Sequence, residues 1–62
     1  MSDREVIQKA YETGLMTMYA VFVSNFTTAL GDKQKEAEVE ADFQRAIVHA
    51  RHVRERALAL LK

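Results

Sequence analysis

One place in this sequence tells a helix to stop, and it is Gly31-Asp32. Proline is absent, and the only other glycine is Gly14. Proline breaks a helix by removing a donor and clashing with the preceding turn, and glycine weakens one through its backbone entropy. A chain without the first and nearly without the second is built for long helices. Gly31 can take the left-handed conformation that ends a helix. Asp32 can accept from the free N–H groups that open the next one. At the other end, Ser2 and Glu5 have capping-box spacing: the Ser hydroxyl accepts from the Glu5 N–H, and the Glu side chain reaches back to the Ser2 N–H. Asp3 and Glu5 also suit the positive end of the helix dipole. The spacing predicts one helix over about residues 3–30, a turn at 31–32 and a second helix over about 33–61. So short a connection forces the two to run antiparallel. The expected fold is all-α, a single helical-hairpin domain spanning residues 1–62.

The apolar pattern sets the packing. On the second helix Val39, Phe43, Ala46, Ile47, Ala50, Val53, Ala57, Leu60 and Leu61 recur at three- and four-residue spacing, the period of one helical face. On the first helix Tyr11, Leu15, Met18, Tyr19, Phe22, Phe26 and Ala29 form a face of large side chains that can fill the gaps left by alanine opposite. From Thr13 to Gly31, however, the first helix carries no charge on any side. A helix apolar around most of its circumference is buried, and one partner helix does not cover so wide an arc. The chain is 62 residues long, a size at which a single core is marginal and small proteins add disulfides, metals or partner subunits. Cysteine is absent, so disulfides and Cys-based zinc sites are excluded. The expected solution is a homodimeric four-helix bundle, or a higher homo-oligomer. The expected oligomer interface comprises Tyr11, Leu15, Met18, Phe22, Phe26, Val39, Phe43 and Ile47.

Nine basic and nine acidic residues cancel, so overall charge points to no polyanionic partner. The alternation of acid and base at Met1-Ser2-Asp3-Arg4-Glu5 is unlike a secretory leader, and a cytoplasmic location is expected. The uncharged run raises the question of a membrane span. Four threonines, a serine and an asparagine within it make it too polar, and none is expected.

No cluster of residues carries a specific chemistry. His49 and His52 are three apart and neighbours on one helix; with a symmetry mate they would offer four imidazoles to a metal. Neither is preceded at three residues by glutamate, as in di-iron bundles, and they are read as solvated, with no metal site. Tyr11, Tyr19, Met16 and Met18 are haem ligands by type, but at helical spacing they read as core. Thr13, Thr17, Ser24, Thr27 and Thr28 line the first helix opposite its aromatic face. No histidine–acid pair accompanies them to make a nucleophile. With Ala10 and Gly14 that stripe is either solvated or a close-packing seam to further subunits. Asn25-Phe26-Thr27 matches the glycosylation triplet but lies within a helix and is read as chance.

The second helix opens with Glu36, Glu38, Glu40 and Asp42 and closes with Arg45, Arg51, Arg54, Arg56 and Lys62. That order complements the helix dipole. It would also select an antiparallel pairing of second helices between two chains. Alternatively, Arg45, Arg51, Arg54 and Arg56 are a nucleic-acid contact. The expected function is therefore non-enzymatic: a homo-oligomeric helical protein, an adaptor or regulator, that contacts another macromolecule, expected to be a protein, with no cofactor. The alternatives are a nucleic-acid-binding bundle using the basic end of the second helix, and a metal- or haem-binding bundle.

Overall fold

The computed structural model describes residues 1–61. It is an all-α antiparallel hairpin of two equal helices, α1 (Asp3–Ala29) and α2 (Lys33–Ala59). Each end is fixed by a local hydrogen bond. The Glu5 N–H donates to Ser2 Oγ at 3.2 Å; of the two bonds of a capping box, the described residues make this one. An exposed Glu5 carboxylate loses little by facing water instead. At the start of α2 the Gln34 and Lys35 N–H groups donate to Asp32 Oδ1 at 3.1 and 3.2 Å.

The turn is closed from both sides. Leu30 leaves the helical region (φ −52°, ψ 130°), which ends α1 at Ala29. Gly31 then adopts φ +94°, where a side chain would crowd the backbone. The Asp32 N–H returns to the Ala29 carbonyl at 3.0 Å. The Gly31 N–H donates forward to Glu36 Oε2 at 2.9 Å. These bonds give the orphan groups of both helix ends partners within the turn itself.

The helices pack through aromatic rings. Phe22 stacks on Phe43 across the hairpin with centroids 4.4 Å apart, and on its own helix it meets Phe26 at 5.5 Å. Ala29, beside the turn, is 5% exposed and is the one buried residue among those described. Every other apolar residue keeps some contact with water. The Cα trace measures 48 × 17 × 6 Å, a single layer, with a radius of gyration of 14.6 Å. A compact chain of this length would have a radius of about 11 Å. Stable domains bury their apolar faces between two layers; this hairpin is one.

Candidate functional site

With only one layer formed, the surfaces on the two sides of the hairpin decide what the molecule can do, and they differ. On one side lies a groove between α1 and α2. Its turn-proximal half is lined by Thr17, Val21, Phe22, Val39, Phe43 and Ala46. Its other half is lined by Ile7, Ala10, Gly14, Ala50, Val53 and Arg54. Met18 borders both halves, so they form one continuous trough. The helical period brings these residues together: Ile7, Gly14, Met18, Val21 and Asn25 recur at steps of three, four and seven along α1.

The groove's polar groups are Thr17, Asn25 and Asp42 in the half near the turn and Tyr11, His49 and Arg54 in the other. The Thr17 hydroxyl donates to the Thr13 carbonyl at 3.3 Å. Elsewhere on α1, outside the groove lining, Thr27 and Thr28 do the same to the Val23 and Ser24 carbonyls, at 2.7 and 3.1 Å. Each hydroxyl is thus satisfied inside its own helix. Asp42 pairs with Arg45 one turn on along α2.

Across the hairpin from the groove, α2 presents Lys33, Glu40, Gln44, Arg51 and Glu55, all exposed. Beside them α1 exposes an apolar edge that includes Met16 and Tyr19, 72% and 61% accessible.

Several residues expected at an oligomer interface take their contacts inside one chain. Phe22, Phe26 and Phe43 form the ring cluster described above. Tyr11 lies beneath the Arg54 guanidinium, whose central carbon sits 4.4 Å from the ring centroid. Tyr11, Leu15, Met18, Phe22, Phe26, Val39, Phe43 and Ile47 are all half-buried in the lone hairpin, so each retains surface for a further contact.

The four arginines read as a candidate nucleic-acid contact do not come together. Arg45 is held by Asp42. Arg54 turns inward over Tyr11, its Nε buried without a hydrogen-bond partner. At 100° per residue Arg45 and Arg56 share a face, while Arg51 points about 120° away from Arg45. A phosphate backbone would meet two of the four at once. Lys62, read with them, lies outside the described residues.

His49 and His52 are exposed and border a shallow hollow with Gln44, Arg45 and Val48. Among the described residues no three His, Cys, Asp or Glu side chains converge as metal ligands would. Within the same residues no helix is long and apolar enough to cross a membrane. Two contributors were not legible in the sequence: Glu36 as the acceptor that closes the turn, and Arg54 as part of the ring packing. Neither has a local signal, because each depends on where another segment lies.

The class these features define is a helical hairpin with an apolar groove on one side and, on the other, a charged α2 face beside an exposed apolar edge of α1. No protein-family model, no curated protein and no solved structure matches the chain.

Proposed function

We propose that this chain is a non-enzymatic, homo-oligomeric helical module, a small adaptor or regulator that assembles as a dimeric four-helix bundle or a higher oligomer and acts by contacting another macromolecule. The observation that supports this is surface. The hairpin exposes 5010 Å², whereas a folded monomer of 7.1 kDa exposes about 4,100 Å². The excess of roughly 900 Å² is close to the ~800 Å² that each partner contributes to a standard protein interface. A chain carrying such an excess is stabilised by association, because apolar area removed from water contributes about 25 cal/mol per Å².

Sedimentation equilibrium combined with thermal melting at several protein concentrations tests the reading. An oligomer heavier than one chain, with a melting temperature that rises with concentration, is the expected result. A compact monomer whose melting temperature ignores concentration would overturn it.

A further inference from the structure

We propose that the grooved face is the seat of a second copy of this chain, docked face to face on the same groove, and that the charged face stays in water. The proposal rests on the oligomeric reading above and adds which surface associates.

Gly14 is the first indication. It sits in the middle of a 27-residue helix, where glycine is the least favourable residue after proline. The hairpin itself gives no reason for it: a Cβ built at Gly14 meets nothing within 4 Å. The space beside Gly14 belongs to the groove. Glycine there lets something from outside the chain approach the α1 backbone closely, as small residues do wherever helices pack tightly.

The second indication is that covering this face costs less than covering the other. From Gly14 to Asn25 its flank on α1 falls in the stretch without charge. The Thr17 hydroxyl in it already donates to the Thr13 carbonyl, so burial leaves that donor satisfied; the Asn25 amide, His49 and Arg54 are the groups that need partners from a second copy. The charged groups of the groove, Asp42 and Arg54, already have company in Arg45 and the Tyr11 ring, whereas on the other side of the hairpin burial would have to desolvate Lys33, Glu40, Arg51 and Glu55, which is expensive unless every charge finds a partner.

Size and charge select the occupant. The trough runs from Ile7 to Asn25, about 27 Å at 1.5 Å per residue. A long helical element fills a trough of that length between two helices by ridge-and-groove packing. A second hairpin, itself 48 Å long, supplies two helices with the same apolar face. Doubling a single layer gives the two-layer arrangement in which apolar helix faces are normally buried. The formal net charge is zero, so two copies approach without mutual repulsion. The two surfaces being identical, the contact is isologous and closes at two chains.

Val21 and Val23 make the test specific. They lie two residues apart on α1, hence about 200° around it. Val21 lines the groove and Val23 does not. In the lone hairpin they are 53% and 43% exposed, so a monomer would react almost equally at either. The chain contains no cysteine. Val21→Cys and Val23→Cys variants of the full chain can therefore each be labelled with a maleimide reagent, below and above the association midpoint found by sedimentation. Labelling at position 21 should slow about tenfold above the midpoint, where most chains are paired, while the rate at position 23 stays unchanged. Protection at 23 in place of 21, or equal protection at both, would overturn the assignment of the face while leaving the oligomer standing. A wild-type chain that stays monomeric, with position 21 fully reactive at every concentration, would remove the oligomeric reading and this proposal together. Substitution at Gly14 gives an independent check. Gly14→Leu fills the trough and should weaken association more than tenfold, while Glu55→Leu on the charged face should not. Undiminished association of Gly14→Leu would refute the docking.

Discussion

Replacing Phe22 by alanine removes the ring that joins the two helices. Its contacts are the Phe43 ring at 4.4 Å and the Phe26 ring at 5.5 Å. Truncating a fully buried phenylalanine costs about 3–5 kcal/mol, and an aromatic pair contributes about 0.5–1.5 kcal/mol beyond its buried area. In the lone hairpin Phe22 is only half-buried, so the loss there should be about 2 kcal/mol. If a second chain covers the groove that Phe22 lines, the ring is enclosed and the loss approaches the full range. A core of this size supplies about 3–5 kcal/mol in all. Phe22→Ala should therefore leave a largely unfolded chain at micromolar concentration, with folding and association lost together. Circular dichroism melts over a concentration series, read beside sedimentation of the same samples, measure both. Tyr19→Ala is the control: that ring is 61% exposed, and its loss should change stability by no more than about 0.5 kcal/mol. A folded, monomeric Phe22→Ala protein, destabilised by the half-buried amount at every concentration, would refute the reasoning.

Further outcomes follow from the turn, the charges and the histidines. Gly31→Ala forces a side chain into φ +94° and should cost about 1–2 kcal/mol. Asp32→Ala removes the acceptor for two N–H groups and should cost about 1 kcal/mol; chemical denaturation of either variant at wild-type stability would contradict the capping geometry. High salt should weaken association only modestly, since exposed ion pairs are worth about 0.2–1 kcal/mol each; sedimentation showing tighter association in salt would count against antiparallel pairing of the acidic and basic ends of α2. Calorimetric titration with zinc or nickel should give no micromolar site at His49 and His52, and binding abolished by His49→Ala would reverse that reading.

What could be read in advance was local. Ser2, Gly31 and Asp32 act on N–H groups and dihedral angles within three residues of themselves, so their effect does not depend on the rest of the chain. The ends of α1 and α2 accordingly lie within two residues of the expected positions, with Leu30 lost to the turn because its backbone is extended. The aromatic and alanine stripes were legible for the same reason, as a helix repeats its faces at fixed spacing.

The division of labour among those stripes was not. Tyr11, Phe22 and Phe43 read both as filling between the two helices and as surface for another chain, because a stripe of large apolar side chains looks the same whichever helix it meets. The antiparallel docking of α1 on α2 engaged these rings within the hairpin. It drew Arg54 out of the basic end and over Tyr11. It also left Gly14, Val21 and Val53 on an open groove.

The sequence by itself determined two capped helices, one reversal and an apolar excess, since each is a property of short segments and of composition. Only the tertiary structure decided which of those apolar residues line a groove and which stay on the outer surface. That division depends on the rotation of each helix about its axis, which is set by how Phe22 and Phe43 fit against each other and by no signal within either helix alone.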